Sequence, residues 1–225
     1  MFEMEKAQRL SLTMQVEAKL KHGLIVGILK PGARLVTKEI ATQLGTSVTP
    51  VREALLRLVA SGALDAAPAQ AFLVPNISRQ KYQEITLIRK QLEGLAVSQA
   101  AQNMDAEKLA RLTSLNANFM AAKLTQRVEE ALQANRTFRF ALYDYATMPT
   151  LTSLIEQLWV KIGPCFNYLY PQHPDMTHGQ HNYEALLIAL EQGDSQRSEK
   201  SIHNAIDDGA AILLENYFNR ELVSH

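Results

Sequence analysis

The chain has 225 residues, with 23 Lys and Arg against 23 Asp and Glu, 47% hydrophobic residues and 20% charged ones. That is the composition of a folded globular protein large enough for two domains, and it excludes a disordered or fibrous chain. A single cysteine, Cys165, excludes an intramolecular disulfide framework and cysteine-based zinc fingers and fits the cytoplasm, while the absence of a long apolar run argues against a membrane span or a signal peptide.

The balanced net charge hides an asymmetry: residues 1–75 hold nine basic against six acidic side chains, and the remainder is acidic by the same margin. Leu12, Val16, Leu20 and Leu24 recur at four-residue steps and predict a first amphipathic helix ending near Gly27. After the Lys30-Pro31-Gly32 turn, Arg34-Leu35-Val36 reads as extended. Thr37 is then placed to cap a helix from Lys38 to about Leu44, closed by Gly45. In the following segment Thr49 is the expected cap, Pro50 the first helical residue, and Val51, Leu55 and Leu58 the apolar face. Ala63–Ala67 and Ala71–Val74, separated by Pro68-Ala69-Gln70, read as a hairpin. Helix, helix, turn, helix, hairpin is the order of a winged helix-turn-helix.

Pro75-Asn76 marks the expected boundary between a DNA-binding domain, 1–75, and a helical domain, 76–225. Beyond it the apolar stripes are Ile85, Ile88, Leu92 and Leu95; Leu109, Leu112, Leu115 and Phe119; Val128, Leu132 and Leu142; and Leu151, Leu154, Ile155, Leu158 and Trp159. Gly163-Pro164 should end the last of these helices. Leu187 and Leu190 mark another helix, Gly193-Asp194 a break, and Ile202, Ile206, Leu213 and Tyr217 the last helix. The expected fold is mainly α: an N-terminal winged helix-turn-helix plus a C-terminal antiparallel all-α bundle.

Two short helices joined by a glycine turn, the second with an exposed polar N-terminus, suit the DNA major groove. Thr49 and Arg52 lie opposite the apolar Val51 and Leu55, and an arginine there can bond guanine O6 and N7 in parallel. The run TPVREALLRLVASGAL resembles the hallmark of the GntR family of bacterial regulators, and the likeness extends from Leu35 through Val74. It implies DNA contacts from Lys38, Ser47, Val48, Thr49, Pro50 and Arg52, with Arg52 reading bases and Lys38, Ser47 and Thr49 touching phosphates. Two departures stand out. Val48 occupies a position where family members commonly place a basic residue, and the wing, Ala67-Pro68-Ala69-Gln70-Ala71, carries no charge.

The helical part resembles the FCD sensing domain of the FadR-type branch, through Arg89 followed by Leu92-Glu93, Asn135 to Leu142 with Met148-Pro149, and Tyr183 to Asp194. The resemblance implies a homodimeric repressor on a palindromic operator, responding to a small-molecule effector, a carboxylate in this reading. Many such domains hold a divalent cation with one aspartate and three histidines; those positions align here with Asn135, Arg139, Tyr183 and Ala205, so no metal and no cofactor is expected. Asn135 and Arg139 nevertheless continue the inward stripe of their helix. Two readings follow: an internal ion pair with Glu93 or Glu184, or an arginine that replaces the metal's charge and binds an anionic effector with Arg89, Asn135 and Tyr183.

His178 and His181 read as solvated surface, and no nucleophile and base stand at a catalytic spacing, so enzymatic activity is not expected. An interaction module or an enzyme in the helical domain with vestigial DNA binding is the alternative.

Overall fold

The computed structural model describes residues 12–68, 71–125, 127–169 and 182–218. The first helix, α1 (Leu12–Ile25), buries Val16, Leu20 and Leu24, whereas Leu12 at its start is half exposed. Gly27, with φ of 72°, takes the left-handed turn that follows. Strand β1 (Arg34–Val36) leads straight into α2 (Thr37–Gln43), and Gly45, φ 62°, turns the chain into α3 (Val48–Ala60).

Both expected helix starts are displaced. Thr37 is the first helical residue and is buried, with Val36 in the capping position and no side-chain cap. Ser47 precedes α3 in an extended conformation, so Pro50 is the third helical residue rather than the first. The shift is tolerated because no N–H in a helix's first turn has an intrahelical acceptor, so proline loses nothing there.

Strands β2 (Asp65–Ala67) and β3 (Ala71–Leu73) form the hairpin, and β1 joins it to give an antiparallel sheet in the order β1-β3-β2, with Leu35 opposite Phe72 and Phe72 opposite Ala66.

The helical part comprises α4 (Arg79–Gln102), α5 (Ala106–Leu124), α6 (Val128–Asp144), α7 (Pro149–Ile162), a 3-10 segment Gly163–Leu169, α8 (Asn182–Glu191), α9 (Ser195–Leu213) and a π-helical turn Leu214–Phe218. Side-chain caps start three of them: Ser78, Asp105 and Asp194 accept from the main-chain N–H groups of Lys81, Lys108 and Arg197. Helix α4 is central, packed against α6, α7, α8 and α9.

Its orientation corrects the sequence reading. Ile88 and Leu95, expected inside, are 42% and 43% exposed, and Leu92 is only partly buried. The buried face instead carries Tyr82, Ile85, Thr86, Arg89, Glu93, Ala96 and Val97. The helix is rotated because its charged pair is satisfied inside the bundle, which removes the penalty that would otherwise force those groups outward. Leu154 of α7 is likewise 44% exposed, while Leu151, Ile155 and Trp159 are buried as expected.

Helix α1 packs on α3 along one side and on α7 and the 3-10 segment along the other. The contact is close. A Cβ at Gly163 would strike the Leu24 carbonyl and the Ile25 main chain, and the Asn167 side-chain amide donates to the Gly27 carbonyl. The helix that supports α3 is thereby fastened to the helical bundle.

Candidate functional site

The first site is the outer face of the helix-turn-helix. Val51, Ala54, Leu55 and Leu58 bury one side of α3, which fixes its rotation and leaves Arg52 exposed on the other. Ser47, Val48 and Thr49 are exposed at its N-terminal end, Pro50 is partly exposed, and Lys38 is exposed at the start of α2. The six residues anticipated from the sequence therefore lie on the solvent side of one motif. No acidic residue occupies the first turn of α3, so the positive end of its peptide dipole is uncompensated and favours a phosphate. The helix is held from behind by Thr13, whose hydroxyl donates to Glu53 Oε2 at 2.8 Å, and by Arg57, whose Nη1 lies 3.5 Å from Glu17 Oε2.

The second site is a polar cluster inside the bundle, built around Glu93, the single buried carboxylate among the described residues. Arg89 and Glu93 stand one turn apart on α4; Asn135, Arg139 and Tyr143 stand one turn apart on α6; Trp159 comes from α7 and Tyr183 from the start of α8. Glu93 Oε1 accepts from Arg89 Nε at 2.6 Å and Trp159 Nε1 at 2.9 Å. Its Oε2 accepts from Arg139 Nη1 at 3.2 Å and from the Tyr143 hydroxyl. Burial works against the carboxylate's charge, but the two guanidiniums and the Tyr143 hydrogen bond overcome it, and its pKa lies below the ordinary glutamate range.

Arg139 also donates from Nε to the Tyr183 hydroxyl at 2.5 Å, and that hydroxyl donates to Asn135 Oδ1 at 2.6 Å. Burial raises the pKa values of both Tyr143 and Tyr183, so both phenols stay protonated donors. The guanidinium of Arg89 stacks over Trp159, 4.9 Å from the ring centroid, and near Phe166 at 5.6 Å.

The four residues anticipated as effector ligands, Arg89, Asn135, Arg139 and Tyr183, are thus all buried and joined through one network. Glu93, rather than Glu184, is the arginines' partner. Tyr143 and the indole N–H of Trp159 were not anticipated as members, although a buried indole N–H usually finds an acceptor. Among the described residues Nη2 of Arg139 and both terminal nitrogens of Arg89 have no hydrogen-bond partner.

A divalent cation does not fit this cluster. Arg139 brings a positive charge of its own, Asn135 and Tyr183 are neutral and already bonded to each other, Ala205, partly buried on α9, has no side-chain donor atom, and Glu93 is already shared between two guanidiniums. No group of three or more metal-ligating side chains occurs among the described residues. His178 and His181 lie outside the described residues. His203, on α9, contacts the Lys90 carbonyl at 2.8 Å. An open groove of about 790 Å³ between the end of α1 and α5–α6, lined by His22, Ile28, Leu115 and Val128 among others, shares no residue with the polar cluster.

Residues 12–74 match the family described as "Bacterial regulatory proteins, gntR family", and residues 84–208 match "FCD domain". The chain is 44% identical over 214 residues to the HTH-type transcriptional regulator McbR of Escherichia coli K12, covering 94% of this chain and 97% of that one. The solved structure of E. coli McbR/YncC superposes with a TM-score of 0.88 at 44% identity, covering 93% of this chain and 100% of that one. A probable D-xylose utilization operon transcriptional repressor of Paenarthrobacter nicotinovorans is 27% identical over 198 residues, covering 88% of this chain and 87% of that one.

Proposed function

Because the chain belongs to the GntR family of bacterial regulatory proteins and carries an FCD domain, we propose that it is a repressor whose DNA affinity is set by an anionic effector held at Arg139. It is a transcriptional regulator with a helix-turn-helix DNA-binding part and a helical effector-binding part. The finer assignments are ours: a DNA-binding domain at 1–75, a sensing domain at 76–225, and an operator read by Arg52 with Lys38, Ser47, Val48, Thr49 and Pro50 around it.

One observation carries the effector assignment. Two buried guanidiniums share a single carboxylate, so the cluster keeps an excess positive charge and open donors. A guanidinium fork matches a carboxylate in shape and charge, and a bound acid would complete the pairing that Glu93 leaves half made. The Asn135 amide and the Tyr183 hydroxyl flank the fork and would orient the ligand. Phe166, beside Arg89, belongs to the 3-10 segment whose Gly163 and Asn167 clasp α1, which gives ligand binding a mechanical route to α3.

The regulator acts in the cytoplasm, where its DNA is, as a homodimer on a palindromic site, because one recognition helix reads only a few base pairs. The exposed Leu87, Ile88 and Leu95 of α4, with Leu87 at 64% exposure, favour a dimer formed through the helical part. The joint substitution of Ile88 and Leu95 by Asp should then give monomers in sedimentation, and a surviving dimer places the interface elsewhere.

Selection of genomic fragments by the purified protein tests the reading as a whole. The expected result is a small set of inverted-repeat sites whose capture falls or rises with added organic acids. Capture of no defined sequence would contradict it.

A further inference from the structure

Among the described residues the bundle buries three cations, Arg89, Arg139 and Lys123, but only one carboxylate, Glu93. Lys123 does not belong to the network around Glu93. It lies on the inward stripe of α5 with Leu112, Asn116 and Phe119, and is 8% exposed. It forms no ion pair among the described residues; its Nζ sits over the ring of Phe119, 5.4 Å from the centroid. Burial lowers its pKa, so its charge is held at a cost. On the same stripe the side-chain oxygen of Asn116 is buried with no donor.

These groups are linked to the Arg139 cluster through two rings. Phe119 packs on Tyr183 with centroids 5.5 Å apart, and the Arg139 guanidinium lies 5.3 Å from the Tyr183 centroid. Lys123 and Arg139 therefore stand on either side of a Phe119–Tyr183 pair, one offered by α5 and the other by α6.

We propose that the effector is an elongated dianion, with one carboxylate on Arg139, a second on Lys123, and an apolar body lying along Phe119 and Tyr183. Asn116 offers its side-chain oxygen to a hydroxyl on that body. The charge count fits: a ligand with two negative charges neutralises the two cations that Glu93 leaves over. With two rings between the anchors, a compact anion such as phosphate would meet one of them and not both. The inference rests on the reading of Arg139 as an acid receptor and adds a second anchor to it.

Calorimetric titration and thermal melting of the full chain with matched acids test the second anchor: hexanoate against adipate, octanoate against suberate, and inorganic phosphate. In the wild-type chain each diacid should bind about tenfold to a hundredfold more tightly than the monoacid of equal length, the worth of one charge-assisted hydrogen bond. Lys123→Met removes an unpaired cation at similar volume and should fold; it should bring each diacid to the affinity of its monoacid partner or below it, because the second carboxylate is then unpaired, while the monoacid stays unchanged. Lys123→Gln serves as a second variant with the same expectation. Retention of the diacid advantage in both variants, or phosphate binding as tightly as the diacids, overturns the proposal. Monoacid binding that Arg139→Lys abolishes, with no diacid advantage in the wild type, overturns the second anchor and leaves the Arg139 reading standing. If no acid binds the wild-type chain, both fall.

Discussion

Arg139 Nη1 lies 3.2 Å from Glu93 Oε2, and the other oxygen of that carboxylate holds Arg89 Nε at 2.6 Å, so one buried anion organises two buried cations. Replacing it exposes the cost of the arrangement. Glu93→Gln leaves both guanidiniums without a counter-charge and should destabilise the fold by about 3–5 kcal/mol in urea denaturation.

The loss should depend on pH in a definite direction. Burial opposes the Glu93 charge, and Arg89 and Arg139 more than offset that, so its pKa in the folded chain is lowered. A lowered carboxylate contributes stability that is fully present above its unfolded pKa, about 4.3, and disappears as pH falls through the folded value. The gap between wild type and Glu93→Gln should therefore be constant near neutrality and shrink in acid. A gap unchanged down to the acid limit of folding would mean that charge is not what Glu93 supplies.

On the DNA side, Arg52→Ala removes an exposed side chain and no core packing, so melting should be unchanged while operator affinity falls by about 1–3 kcal/mol per half-site. Lys38→Ala should weaken all sequences alike and lower the slope of log affinity against log salt by about 1. Retained sequence selection by Arg52→Ala would remove it from the base-reading role.

Gly163 allows α1 to lie directly on the bundle. Gly163→Ala should force the two apart, speeding amide exchange in α1 while α9 stays protected, and weakening DNA binding although no DNA contact is altered. Unchanged exchange in α1 would show that the junction yields without consequence.

Lys123 offers a stability measurement of opposite sign to Glu93. Its pKa is lowered by burial, so the unfolded chain binds the proton more readily, and stability attributable to this site rises with pH between the lowered value and about 10.4. Lys123→Met should be more stable than the wild type at neutral pH, with the advantage fading as pH approaches that upper limit. A variant less stable at every pH would assign Lys123 a structural partner.

Much of this was legible from apolar spacing and turn residues. The buried leucines of α1 and α3, the glycine turns and the hairpin followed from side-chain period and from the few residues that tolerate a positive φ. Asn135 and Arg139 stood out because they interrupt an apolar stripe in phase with it. The face of α4 is not legible for the converse reason. Ile88 and Leu95 look like core and Arg89 and Glu93 like surface until the partners on α6 and α7 are known, and those partners are distant in sequence. Nor does the sequence mark Lys123 as core, because a lysine in the last turn of a helix ordinarily compensates the helix dipole. Only tertiary packing shows it buried.

The most direct test of the central claim is the affinity of the protein for a selected operator fragment, measured by fluorescence anisotropy during titration with organic acids. Arg139→Lys is the comparison, since it keeps the charge beside Glu93 and loses the planar fork. The account predicts that at least one acid changes the operator affinity of the wild type by about fivefold or more and leaves Arg139→Lys unaffected. An Arg139→Lys protein that responds to the acid as the wild type does would contradict it.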